Sequence, residues 1–367
     1  AYDALIAMTS KHIHHLPVTK LGKLAGMVSV TDLVNNEEHN AVNMTSIIHK
    51  ASSVAELVTI SKLLNKLQVK LTKLGANADH IGISAITMAF TIRLIEMAEQ
   101  KLGPAPVPYA WLAAGSQARQ EQLAHSDQDN ALIISDTMKP EDDVWFMSLA
   151  TFVCDGLAEC GFIYCPGDIM ATNKQWRQPQ KIWQQYFDKW IDTPSPKALL
   201  NSSVFFDLSS IHGDVNLLEK VRQSMLEKTK VSTLFIAHMS SNALRSRPPL
   251  GFFRDFVLIQ DGKHNATLDL KHNGIAPIVD LARIYALSEG IAAVNTLERL
   301  QQCSGSKSLT KASAENLIDA YAFLTSVRLE HQGKLLSNKQ PVDNYIDPKQ
   351  ISKLEREHLK DAFKVIK

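Results

Sequence analysis

Gly115 and Ser116 are followed, after a spacer of ten residues, by Asp127 and Asp129. Apolar Tyr109 to Ala114 reads as a buried strand that ends in this Gly-Ser pair and gives way to a helix. A helix N-terminus offers free N–H groups and partial positive charge, which suit phosphate oxygens. Gly115 allows close approach to the backbone, and the Ser116 hydroxyl adds a donor. The next strand opens with the two aspartates, whose i, i+2 spacing puts them on one face. Neighbouring carboxylates repel unless a cation lies between them. Hard oxygen ligands suit Mg²⁺, which also accepts substrate phosphates.

A third carboxylate lies in Val204-Phe-Phe-Asp207-Leu208, a strand-like apolar run. A buried Asp there is costly unless it is paired or holds a metal. Asp127, Asp129 and Asp207 around two Mg²⁺ ions would form a two-metal site for in-line phosphoryl displacement. The plain alternative is a turn followed by a solvated acidic strand end. Arg119, one helical turn past Ser116, reaches either phosphate or a structural partner such as Glu121 or Asp127.

Gly-Ser, a ten-residue spacer, Asp-x-Asp and a later apolar-flanked Asp resemble the signature of the nucleotidyltransferase superfamily. Gly115-Ser-Gln-Ala-Arg119-Gln-Glu121, Ser126-Asp-Gln-Asp-Asn130, Tyr164 to Ala171 and Lys271 to Leu287 narrow the likeness. They look like bacterial signal-transduction nucleotidyltransferases related to the protein-PII uridylyltransferase. The resemblance covers roughly residues 50 to 367 and departs at Ser209-Ser210, where related sequences often carry Arg.

The resemblance implies that Gly115, Ser116 and Arg119 bind nucleotide phosphates and that Asp127 and Asp129 ligate Mg²⁺. It makes Asp207 a metal ligand and the candidate base. The activity implied is transfer of a nucleoside monophosphate from a nucleoside triphosphate, UTP favoured, to a hydroxyl of a regulatory protein. Pyrophosphate is released. The alternative is a non-catalytic, nucleotide-sensing signal-transduction protein.

These motifs require elements to position them. Ser53-Val-Ala-Glu56 fits a capping box, and Leu57, Ile60, Leu64, Leu67, Leu71 and Leu74 then form an apolar seam at steps of three and four. A second helix runs from about Asp79 to Leu102, ending before Gly103-Pro104. Further helices are expected over Glu141 to Cys160 and Trp176 to Ile191, with strands at Asn130 to Ile134, Val204 to Leu208, Asp255 to Ile259 and Ala266 to Leu270.

Residues 1–36 resemble the closing part of a CBS module, through Ile13 to Val18 and Gly26-Met-Val-Ser29-Val-Thr-Asp32. In that family Ser29 and Asp32 would contact an adenosine nucleotide, but only in a complete pair of repeats. The chain therefore reads as a fragment of a longer protein. The fold class expected is α+β: a small mixed nucleotidyltransferase-type sheet flanked by helical bundles, with the partial CBS segment at the N-terminus. The divisions are 1–36, a helical linker at 37–104, a catalytic domain at 105–212 and a mainly helical domain at 213–367.

Composition excludes other classes. Of 367 residues, 45% are hydrophobic and 21% charged, which is ordinary globular usage. Lys plus Arg is 39 against 38 for Asp plus Glu, so no global charge draws the chain to nucleic acid or an acidic membrane. No run reaches the ~18 apolar residues of a membrane span. The first twenty residues do not read as a signal peptide. The four cysteines form no zinc pattern and fit reduced thiols in the cytoplasm. His12, His14 and His15 lack a further ligand nearby, and Arg245, Arg247, Arg254 and Lys271 form a modest basic cluster. A homodimer is compatible with all of this.

Overall fold

A computed structural model of the chain describes residues 8, 13, 15–20, 23–29, 41–72, 79–123, 126–251 and 255–367. Asp32, His12, His14, Leu74 and Arg254 lie outside the described residues. The architecture is α+β, mostly helical, with a small mixed sheet. No helix among the described residues is long and apolar enough to cross a membrane.

Two strands, β1 (His15–Lys20) and β2 (Lys23–Ser29), form an antiparallel hairpin. Ser29 is the last residue of β2. Helices α1 (Ala41–Lys50), α2 (Val54–Ser61), α3 (Leu64–Thr72) and α4 (Asp79–Leu102) follow. The leucine seam predicts one helix, yet the chain turns at Lys62 and Leu63 between α2 and α3. The Leu63 N–H bonds the Ile60 carbonyl, tightening that end. Leu57, Ile60, Leu64 and Leu67 all remain buried. Ser53 caps α2, as its capping box predicts.

The central sheet has the order β5-β4-β3-β6. Its strands are β3 (Tyr109–Ala114), β4 (Asn130–Ile134), β5 (Arg177–Pro179) and β6 (Leu208–Gly213). β3 runs antiparallel to both β4 and β6, and β4 parallel to β5. β3 and β4 are buried throughout, because helices cover both faces. On one face Trp111, Leu132 and Ile134 pack with Phe90 and Leu94 of α4 and with Phe146 and Val153. On the other, Leu112 and Ile133 meet Trp183, Phe187, Phe205 and Phe235. A third apolar cluster, including Ile278, Leu300, Leu324 and Phe363, builds the C-terminal helical part.

Two expectations need correction. Val204 to Leu208 is not a strand: Pro196–Phe205 is a helix, and β6 begins only at Leu208. Ser195 caps that helix and Pro196 starts it, so local N-terminal chemistry overrides the β-rich run at its end. The strands placed at Asp255 to Ile259 and Ala266 to Leu270 shrink to Leu268–Asp269, which pairs with Tyr345–Ile346. The expected helix over Glu141 to Cys160 is Asp143–Glu159. That over Trp176 to Ile191 starts later, at Gln180, after Pro179.

Candidate functional site

Gly115 turns the end of β3 with φ +56, a left-handed conformation that glycine adopts without penalty. A Cβ there would lie 3.1 Å from Asp129 Oδ2. Glycine thus lets the aspartate approach the turn. The helix after it, Gly115–Ala118, is a single turn, and the Gly115 N–H bonds the Asp207 carbonyl. The helix-dipole part of the phosphate expectation is therefore weaker than the sequence suggests.

Asp127 and Asp129 lie in the extended approach to β4, not within it. Two backbone bonds fix this approach: Ala114 N–H to the Asp129 carbonyl, and Gln128 N–H to the Ile163 carbonyl. Gln128 also pairs in parallel with Tyr164, which brings the next residue, Cys165, beside the carboxylates. Ligand atoms of Asp127, Asp129 and Cys165 all lie within 4.8 Å of one another. Burial, then the neighbouring Asp127 charge, push the Asp129 pKa up to about 6. Burial and Asp129 push the Cys165 thiol up to about 11.

Asp207 is placed elsewhere. Its carboxylate is fully buried and accepts four hydrogen bonds from three arginines. Arg283 Nε at 2.9 Å and Arg299 Nη1 at 2.7 Å bond Oδ1. Arg283 Nη2 and Arg119 Nη1, each at 2.6 Å, bond Oδ2. Burial alone would raise its pKa, but the three guanidinium charges overcome that and hold it far below the carboxylate range. The sequence expectation groups Asp207 with Asp127 and Asp129, whereas in this structure its carboxylate is engaged by arginines and is not among the clustered ligand atoms of Asp127, Asp129 and Cys165. Both oxygens are saturated by cations, so neither a metal nor a proton competes well for them.

Arg119 is held by carboxylates too, while lining the cavity beside Gly115 and Ser116. Its Nε bonds Glu121 Oε2 at 2.7 Å while Nη1 holds Asp207. Glu121 Oε1 accepts from the Thr296 N–H at 3.0 Å, and Asn295 Nδ2 donates to the Arg119 carbonyl at 2.7 Å. Arg283 also pairs with Asp280. Arg119, Arg283 and Arg299 are thus balanced by Asp207, Glu121 and Asp280. The cluster ties the sheet to helices Ala276–Glu289 and Thr296–Cys303.

These two parts of the chain enclose a cavity of about 390 Å³. Gly115, Ser116, Asp127 and Asp129 line it from the sheet. Lys271, His272, Tyr321 and Arg328 line it from the C-terminal part. A single π-helical turn, Lys271–Ile275, presents the first two, a local distortion common at functional sites. His272 Nδ1 lies 2.8 Å from Asp269 Oδ2, and the His272 N–H bonds Asp269 Oδ1 at 3.0 Å. Burial lowers the Arg328 pKa to about 10, a value at which it still carries its charge at neutral pH. Tyr321 is buried, and burial with the Glu121 charge holds its phenol well above the ordinary range.

Spacing alone does not single out Arg299, Tyr321 or Arg328, because each meets the motif only through the tertiary fold. Lys271 and Arg283 fall within the recognised C-terminal segment, but nothing local tells which one faces the cavity unengaged.

Residues 62–197 match a family model described as "Putative nucleotidyltransferase DUF294". Residues 233–367 match a second, "Putative nucleotidyltransferase substrate binding domain". Both matches support a nucleotidyltransferase-type family. No curated protein matches the chain. The cavity is lined from both matched segments, by Asp127 and Asp129 in the first and by Lys271 and Arg328 in the second.

Proposed function

We propose that the chain transfers a nucleoside monophosphate from a nucleoside triphosphate to a hydroxyl acceptor in this cavity. The observation that carries the reading is the meeting of opposite charges there. Asp127 and Asp129 stand beside the Gly115 turn, and Lys271 and Arg328 belong to the same cavity. About 390 Å³ lies within the range of small-ligand sites.

Asp127 and Asp129 fit one Mg²⁺ ion: their ligand atoms are close together, and burial with the neighbouring Asp127 charge raises the Asp129 pKa. With Asp207 engaged by arginines, the second ion expected from sequence lacks its third carboxylate. When bound, Mg²⁺ would neutralise triphosphate charge and orient it. Lys271 and Arg328 bind the outer phosphates, and Ser116 offers a hydroxyl donor at the turn. The acceptor oxygen then bonds the α-phosphorus as the bond to pyrophosphate breaks. The acceptor's proton passes to His272, whose ring Asp269 orients. UTP is the preferred donor and a regulatory protein the acceptor, on the resemblance to protein-PII uridylyltransferases. A complete CBS pair, of which Ser29 and Asp32 would form part, would bring adenosine nucleotides to bear on the site.

One observation favours a second reading. The locked Asp207 leaves two carboxylates where a two-metal enzyme needs three, which suits a nucleotide sensor. Incubation with labelled nucleoside triphosphates, Mg²⁺ and candidate acceptor proteins separates the two. Labelled acceptor and pyrophosphate support transfer, whereas tight nucleotide binding without either supports sensing.

A further inference from the structure

Cys165 is the one cysteine of the four that is not buried. Its sulfur shares a single cluster with the carboxylate oxygens of Asp127 and Asp129. Mg²⁺ has no use for sulfur, because it is a hard ion that takes oxygen ligands. The two carboxylates alone serve Mg²⁺, whereas the carboxylates together with the thiol also suit a borderline-soft divalent ion such as Zn²⁺ or Co²⁺.

We propose that Cys165, Asp127 and Asp129 form a three-ligand site for a thiophilic divalent ion, with the fourth position open to a substrate oxygen. This deepens the reading above and rests on its metal site, but not on the transfer reaction.

The backbone builds the arrangement. Gln128 pairs with Tyr164, and the Asn130 N–H bonds the Ile169 carbonyl. The loop between, closed by the Asp168 N–H to the Cys165 carbonyl, is held at both ends against the aspartates. Three protein ligands with a fourth position open is the usual form of a catalytic zinc site. Ligand atoms within 4.8 Å need only a small side-chain closure to meet Zn–S and Zn–O bonds of about 2.3 and ~2.0–2.2 Å. On ion binding the thiol gives its proton to solvent and the sulfur binds as thiolate. Cys–SH and the ion become the Cys–S⁻ complex and one proton, with no change of oxidation state.

The test uses the full chain stripped of metal and titrated with Co²⁺. A thiolate-to-cobalt charge-transfer band in the near ultraviolet is expected for the wild type and absent from Cys165→Ser. Calorimetry with Zn²⁺ should show at least about tenfold weaker binding by Cys165→Ser, since even outer-shell partners are worth that much. Mg²⁺ should show no comparable change. Should Cys165→Ser fold poorly, wild-type alkylation by iodoacetamide, mapped by mass spectrometry, supplies the readout: Zn²⁺ should protect Cys165. Co²⁺ bound without the band, a band that survives in Cys165→Ser, or no protection by Zn²⁺ overturns the proposal. A thiolate band in a protein that never releases pyrophosphate would sustain this inference while removing the transfer reading. Transfer with Mg²⁺ but no band would do the reverse.

Discussion

Asp207 and Arg283 form a two-bond fork inside the protein, Nε to Oδ1 at 2.9 Å and Nη2 to Oδ2 at 2.6 Å. Arg119 and Arg299 complete the cage from two other parts of the chain. Asp207→Asn would keep the shape but leave three guanidiniums short of one buried negative charge. Removing one partner of a buried pair typically costs about 3–5 kcal/mol. Urea denaturation should show a loss of that order at neutral pH. The depressed carboxyl pKa of Asp207 means that its contribution is complete above the unfolded value of ~3.9 and declines as pH falls below it. The stability difference between wild type and Asp207→Asn should therefore shrink in acid. A variant as stable as the wild type at pH 7 would count against the cage.

Asp129 behaves in the opposite sense. Its pKa rises from an ordinary 3.8 to about 6, so the folded protein binds this proton more tightly than the unfolded chain. Stability should fall as pH rises from about 4 to ~6, and the full penalty remains above that. One pKa unit is worth ~1.36 kcal/mol, and solvent at this half-buried site reduces the total to about 1–2 kcal/mol. In chelator at pH 7.5, Asp129→Asn should thus be more stable than wild type by about that amount. Added Mg²⁺ should stabilise the wild type and not the variant. Equal melting temperatures for the two in chelator would contradict the strain assigned to Asp129.

Lys271 is expected to hold phosphate. A hydrogen bond to a charged group contributes about 1.5–3 kcal/mol, so Lys271→Ala should weaken Mg²⁺–triphosphate binding about tenfold to a hundredfold. Binding of the corresponding monophosphate should change less, because the outer phosphates are missing. Calorimetry with both ligands reads the difference directly. An equal loss for both would move Lys271 away from the outer phosphates.

His272→Gln tests the base. Loss of a positioned base typically lowers the rate about 10²–10⁴-fold. Triphosphate affinity should stay within about tenfold, a difference of ~1.4 kcal/mol. An unchanged rate in His272→Gln would leave the His272–Asp269 pair as a surface contact only.

What the sequence makes legible here is local. The i, i+2 aspartates and the Gly-Ser turn depend on near neighbours, and φ +56 at Gly115 with the Asp127–Asp129 cluster matches that logic. The fate of Asp207 is set by Arg283 and Arg299, 76 and 92 residues away, and no spacing rule reaches that far. The same distance hides Tyr321 and Arg328. The misplaced strand at Val204 to Leu208 is a different error. Ser195-Pro196 announces a helix in the sequence, and the aromatic run at its end packs against Trp183 and Phe187 as helix and turn rather than strand.

Asp127 and Asp129 are the residues proposed to serve nucleotidyl transfer. Its most direct measurement is Mg²⁺-dependent release of pyrophosphate from nucleoside triphosphate by wild type and Asp127→Asn, with acceptor protein fractions present. Wild type should release pyrophosphate and place stoichiometric label on an acceptor, with a fall to background in the variant. Triphosphate bound by both proteins with no pyrophosphate from either, or equal release from both, would contradict that role.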